Sequence, residues 1–403
     1  MTQSLRCALV LTLLLRAAPG SPDLSELLER YDRESNGPAK NALAARIDAA
    51  AHQKYATVSR LYWHTDLASA KAAAHASRRP ILHLRMLGNL DEDLSCANSR
   101  LFRATLYANH DVSGLLRERF ILYWSSERPV PRVTIDYGDG RTLVRTTAGN
   151  SAHYVLDEDG NVLDVLPGLY APAAFRRELE GSLALAARVR GKSEDERAAL
   201  IVDYHSQQLI ATQRVSAQLT AMPSMRRLLT EARVQSPIAA AQRGTITKSG
   251  IEVRDLRAIA RELPLEDLSE NQVEMWYTAG RMLYGTGDRK VTAPIPILDE
   301  DSRALVLRLH NDVPLELRAT GWPVDAMIAR LERTLVADSA LNQLRLRPQI
   351  AREFVRRNGR TDFETLNTWI YAEVFRSPKQ DAWLGLLPRN VFTGLVGDGV
   401  VSR

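Results

Sequence analysis

Few residues in this chain have types and spacing that could do chemistry. Cys96 and Ser99 stand three apart in "LSCANSRLFRATLYANHDVSGLLRERF", residues 94–120, where the apolar spacing predicts an amphipathic helix. A thiol in the first turn of a helix is favoured as thiolate by the aligned peptide dipoles and by backbone N–H groups that lack partners. Asp91, Glu92 and Asp93, just before it, oppose a further negative charge. A dithiol exchange site would carry a second cysteine where Ser99 stands. A mixed disulfide formed at Cys96 would therefore need an external thiol to resolve it.

The 403-residue chain has two cysteines, Cys7 and Cys96. Cys7 lies in "MTQSLRCALVLTLLLRAAPG", residues 1–20, which reads as a secretory signal peptide. Arg6 supplies the positive start, Cys7 to Leu15 the apolar run, and Ala18 and Gly20 the small residues near a cleavage point. The expected location is therefore exported, periplasmic or secreted, with Cys96 the single thiol of the mature chain. One thiol excludes an internal disulfide, and with it a disulfide-stapled scaffold or a cysteine-rich zinc site. No later run reaches the roughly 18 apolar residues that span a bilayer, so no stable membrane insertion is expected after cleavage.

Apolar residues make up 45% of the chain and charged residues 25%, enough for a real core, and the length suggests two domains. The net charge of +5 is mild. Arg345, Arg347, Arg352, Arg356, Arg357 and Arg360 alternate with apolar residues, which predicts solvated helix faces rather than a nucleic-acid footprint.

The elements that must position Cys96 follow from local pattern. Residues 21–60 form a helical segment. "WHTDLASAKAAAHASRRP" predicts a helix capped by Thr65 or Asp66 and stopping before Pro80. "PILHLRML" and "RFILYW" are strands on either side of the Cys96 helix, a βαβ unit. Two hairpins follow, turning at Asp139-Gly140 and Asp159-Gly160, and "APAAFRRELEGSLALAARV" closes the 61–190 region as a helix. Residues 191–403 are mostly helical. Capping boxes are expected at Ser193 with Glu196, Ser269 with Gln272, and Thr361 with Glu364. The first of these helices is expected to bury Ile201, Tyr204, Ala211, Val215, Leu219 and Met222 on one face. Residues 284–301 read as a linker kept extended by Pro294 and Pro296.

Other candidate sites carry less. His52, His64, His75 and His83 do not repeat a helical ligand spacing, so no metal is expected there. "DEDGN" at 157–161 lacks the remaining positions of a calcium loop and reads as a hairpin turn. "YGDGR" at 137–141 has too few glycines to cradle a phosphate, and no G-x-S-x-G is present. No cofactor is expected. Trp369, Tyr371, Phe375, Trp383 and Phe392 suggest a terminal core, or a partner groove with Trp383 at its rim.

Between Trp63 and Leu185 the sequence resembles exported thioredoxin-family domains. "RRPILHLRML" stands where that family has its "KPVLV" central strand, and Cys96 and Ser99 stand at its Cys-x-x-Cys. "AHYVLDEDGNVLDVLPGLYAPAAFRREL" stands at its "PT.vflD.dG.v" strand pair and closing helix. The resemblance covers roughly 120 residues and implies an α/β thioredoxin-like domain, a central mixed sheet flanked by helices, before a helical domain of unknown type. It also implies that the segment around Ala152, at the family's cis-proline position, lies opposite the cysteine, where His153 would act as its modulator. The departures are Ser99, Ala152 and an insertion, "GNLDED".

Three readings stay open. In one, Cys96 works as a monothiol site with Ser99 as hydrogen-bond donor and His153 beside it, on a protein disulfide or thiol partner. In another, the thioredoxin-like region is a non-catalytic interaction or assembly module and Cys96 is a small buried hydrophobe. In the third, the helical half is the active part.

Overall fold

The computed structural model describes residues 24–147, 149–223, 225–226, 246–248, 270–285, 297–311 and 324–375. The proposed leader, the Ser269 cap, Pro294 and Pro296 of the linker, Trp383 and Phe392 lie outside these. Three short helices come first, α1 (Leu24–Arg33), α2 (Pro38–Ala51) and α3 (Ala56–Ser59), with Leu27, Leu28, Leu43 and Ile47 forming a small core of their own. Helix α4 (Leu67–Ser77) is capped by Asp66, whose carboxylate accepts from Ser69 N at 2.8 Å.

A four-stranded sheet carries the site. Its strands are β1 (Ile81–Leu87), β2 (Ile121–Arg128), β5 (Ala152–Leu156) and β6 (Val162–Pro167), in the order β2-β1-β5-β6. β1 runs parallel to β2 and antiparallel to β5, and β6 returns antiparallel to β5. Neighbours on both sides and helices on both faces bury β1 almost throughout, which is why "ILHLRML" shows no polar alternation. The parallel β1–β2 pair requires a crossover. It is made by α5 (Ala97–Leu101), continuing as a π-helical turn Phe102–Leu106, and by α6 (His110–Arg119). Strands β3 (Arg132–Asp136) and β4 (Thr142–Thr146) form the first hairpin as a separate ribbon. The second hairpin is β5–β6, closed by the Asp157 carboxylate accepting from Asp159 N at 3.0 Å and Asn161 N at 2.8 Å. "DEDGN" is thus a turn whose carboxylate is committed to its own backbone.

Among the described residues the longer α-helices that follow are α7 (Pro172–Val189), α8 (Glu194–Thr220), α9 (Glu270–Tyr284), α10 (Glu300–Asn311), α11 (Val324–Leu341), α12 (Arg347–Arg356) and α13 (Phe363–Trp369). The Ser193–Glu196 capping box is formed in full. The expected box at Thr361 is not the cap: Asp362 caps α13 instead, accepting from Thr365 N at 2.9 Å. A carboxylate one residue on, carrying a full charge, serves the helix N-terminus better than the hydroxyl. On α8 the buried positions are Ala198, Ile201, His205, Thr212 and Leu219, while Ala211 and Met222 are exposed. The stripe follows the seven-residue spacing of 198, 205, 212 and 219 because the main neighbour of α8 is α12, with α7 packed beside it. There His205 stacks on Phe354, with centroids 4.0 Å apart and planes 6° apart.

The arginines expected on solvated faces divide. Arg352, Arg356 and Arg360 are exposed, but Arg347 is buried. Its guanidinium meets Asp164 of β6 at 2.9 Å and Glu178 of α7 at 3.4 Å. Ser182 and Tyr204 also donate to Asp164, at 2.7 and 3.0 Å, and Tyr284 donates to Glu178 at 3.1 Å. Burial is the largest influence on the Asp164 carboxylate and pushes it up, but Arg347, His205 and the hydrogen bonds from Ser182 and Val165 N together outweigh it and hold the group below the usual carboxylate range. Removing one partner of such a pair strands the other charge in a dry interior. Arg347→Ala is therefore expected to cost about 3–5 kcal/mol in urea unfolding of the full chain. Arg352→Ala on the same helix, exposed, is expected to stay within about 0.5 kcal/mol.

Candidate functional site

Cys96 is set by the turn that leaves β1. Its backbone N–H returns to Leu87 O at 3.2 Å, and its own carbonyl accepts the first helical bond, from Arg100 N at 3.1 Å. It is the N-cap residue of α5, with φ −58° and ψ 154°. The insertion before it is tied down by buried Arg103, whose Nη1 donates to Leu90 O and Glu92 O, each at 2.7 Å. Two of the three acidic residues there are engaged by other partners. Glu92 accepts from Asn89 at 2.7 Å, and Asp93 pairs with Lys54 at 3.3 Å.

The thiol has no exposed surface, and neither do Ser95, Ser99 or Ser151. Cys96 Sγ lies 3.5 Å from Ser99 Oγ and 3.1 Å from Ser151 Oγ. Ser99 has one hydroxyl proton, and its donor contacts are Ser95 Oγ at 2.7 Å and Cys96 O at 2.8 Å. Toward the sulfur it stands as acceptor, with the S–H as donor. The opposite wall is the strand entry that precedes β5. At Gly149 a β-carbon would lie 2.3 Å from Cys96 Cβ, so only glycine lets the backbone approach this closely. That segment is pinned from its far side: Tyr371 OH donates to Asn150 O at 3.0 Å, and buried Lys248 donates to Asn150 Oδ1 at 3.2 Å.

His153 is two residues further on and fully buried in β5. Its Nε2 is 2.7 Å from Tyr107 OH, and Nδ1 has no partner among the described residues. Phe102 and Phe175 close around the ring, with centroids at 4.7 and 4.9 Å. Burial in this apolar box pushes the imidazole down to about 3, so it is neutral at any ordinary pH. Among the described residues no hydrogen bond or ion pair joins His153 to Cys96. The structure therefore brings Cys96, Ser99 and the segment before Ala152 together, and gives His153 to Tyr107. Sequence reasoning missed Ser95, Gly149, Ser151 and Tyr107. The "GNS" before the β5 pattern was the available signal for a close backbone approach.

The other histidines are dispersed. His75 pairs with Asp159 at 3.2 Å, His83 Nε2 meets Ser125 Oγ at 2.7 Å, and His64 bridges to the outer edge of β2. Among the described residues no group of three or more His, Cys, Asp or Glu is placed to hold a metal ion. No described helix is long and apolar enough to cross a membrane. Of the terminal aromatics, Tyr371 and Phe375 are buried in the core that also contains Tyr154 of β5.

The buried imidazoles set an acid limit. His153 takes its proton only near pH 3 in the fold, and His205 near 4 for the same reason of burial, whereas in an unfolded chain both protonate near 6.5. Unfolding therefore takes up protons between those values, and their stability contribution, complete above about pH 6.5, is lost as pH falls. Urea midpoints measured across this range should decline toward acid. In His153→Gln the slope should flatten by about 1.4 kcal/mol per pH unit, one proton's worth.

In the comparisons with known proteins, no family model, no curated protein and no solved structure matches this chain.

Proposed function

We propose that this chain is an exported, non-catalytic thioredoxin-like protein, an interaction or assembly module whose own helical region covers the position of the thiol site. The observation that carries the reading is the enclosure of the Cys96 thiol, fully buried beneath the Gly149–Ser151 backbone. What supports the fold assignment is the interior position of β1, where the family has its central strand, together with the Cys96–Ser151 contact across from it. Export rests on the leader-like sequence at residues 1–20.

The same face is committed to the helices. Asn367 of α13 accepts from Tyr154 OH at 2.8 Å and donates to Glu127 at 2.8 Å, and Glu127 in turn pairs with Arg85 of β1 at 2.8 Å. Tyr371, in the π-helical turn Ile370–Val374 after α13, holds the backbone of Asn150 over the thiol. A disulfide substrate reaching Cys96 would have to displace these contacts, since thiolate attack needs access to the sulfur. Cys96 then serves as a small apolar filler with a weak S–H donor. A second reading, reversible monothiol chemistry, is favoured by one contact, Ser151 Oγ at 3.1 Å from the sulfur.

The two separate in a labelling experiment on the native full chain without its leader. Iodoacetamide should leave Cys96 unmodified in the native state while labelling it completely in urea. Cys96→Ala should fold at a cost of about 1 kcal/mol. Native labelling whose rate titrates at or below about pH 7 would replace the assembly reading with the monothiol one.

A further inference from the structure

The helical run that begins at Cys96 has a second face, turned away from the thiol, and it walls a cavity of about 370 Å3. Among the described residues the wall comes from four parts of the chain. Ala97, Arg100, Leu101, Arg103, Ala104 and Thr105 belong to α5 and its π-helical continuation. Val306 and Leu309 of α10 and Leu331 of α11 close it opposite, and Tyr55 and Asp93 stand at one end. The volume falls at the lower end of the range of small-molecule sites, about 300–1,000 Å3. Ala97, Leu101 and Ala104 recur at four and three residues, one helical face, and the two alanines leave the space that longer side chains would fill.

The lining divides by chemistry. Leu101, Ala104, Val306, Leu309 and Leu331 make an apolar wall. Arg100 and Arg103 lie on the polar side, Arg100 also donating to Thr146 Oγ1 at 2.9 Å, and exposed Arg308 stands outside the lining, beside the Tyr55 ring. The guanidiniums of Arg103 and Arg308 each stand 5.7 Å from the centroid of the Tyr55 ring. Among the described lining residues two arginines, Arg100 and Arg103, face one carboxylate, Asp93, already paired with Lys54 at 3.3 Å. The balance is positive, and cations held beside low-dielectric walls attract anions more strongly than cations in open water. Arg103 cannot turn aside, because its Nη1 is bound to the carbonyls of Leu90 and Glu92.

We infer that this cavity is a binding site for a small amphipathic organic acid, free in solution, whose carboxylate is received by Arg100, Arg103 and Arg308 and whose short hydrocarbon body lies on Leu101, Leu309 and Leu331. The site shares a helix with Cys96 but uses its other face. Its occupancy is independent of whether the thiol reacts.

Isothermal titration of the full chain with octanoate tests it, alongside octan-1-ol and octylammonium as probes of the same length without the negative charge. Octanoate should bind at a single saturable site, about tenfold tighter than either, the difference that one charge-assisted contact makes. Leu309→Trp, which fills the cavity from its half-buried rim, should abolish octanoate binding. Exposed Arg308→Gln, which leaves the core untouched, should weaken it about threefold with an unchanged melting temperature. Octanoate binding no tighter than octan-1-ol, or an affinity unchanged in both variants, would overturn the assignment.

Discussion

Arg347 is buried, with 6% of its surface exposed, so its charge must be balanced inside the molecule, and the way it is balanced fixes how the helices meet the sheet. Asp164 comes from β6, Glu178 from α7, Tyr204 from α8 and Tyr284 from α9, while Arg347 itself opens α12. Five elements thus share one network, in which Asp164 and Glu178 meet the guanidinium and the two tyrosines hold those carboxylates, and none can shift without leaving a polar group dry. The surrounding core is continuous with it: Val165 and Leu166 of the sheet pack in one cluster with Ile201, Ile350 and Phe354 of the helices. Hydrophobic contact supplies the cohesion here, and the buried ions supply the register, because apolar surfaces slide at little cost and paired charges do not.

The same logic explains why the neighbourhood of Cys96 is closed. Ser99 and Ser151 meet the sulfur and Ser99 donates on to Ser95, so the thiol has its polar contacts inside the fold. Gly149 brings the chain to within contact of the cysteine, and Tyr371 and Lys248 hold that chain from outside. Proton donors and acceptors are matched along this path, so burying it is tolerated. His153, one strand position away, illustrates the other outcome. Desolvation keeps it neutral, and a neutral imidazole in an aromatic box is a packing element with one hydrogen bond.

Much of the α/β region was legible in the sequence because its elements obey local rules. The βαβ unit, both hairpin turns and the Ser193 capping box depend on residues a few positions apart. The position of the Cys96–Ser99 pair at a helix start was legible for the same reason. What failed depended on distant partners. Arg347 sits in a run of arginines that looks uniformly solvated, and nothing nearby in sequence announces Asp164 as its partner. Ala211 looked like a core position until the main neighbour of α8 proved to be α12, whose approach selects Thr212 instead. His153 looked like a partner for the thiol. Tyr107, 46 residues away, claims its nitrogen. Burial and pairing over long separations are tertiary facts that pattern does not carry.

Asp164 and Arg347 are 183 residues apart, and this separation bears on the order in which the molecule can assemble. A ribosome adding about 5–20 residues per second finishes the sheet roughly ten to forty seconds before Arg347 is made. Through that interval β6 carries a carboxylate that belongs in a dry interior and lacks its cation, so closing the sheet is opposed until synthesis is nearly done. The chain is thereby biased to remain open while it is made, and the sheet closes only when the helix that carries its counter-charge has left the ribosome.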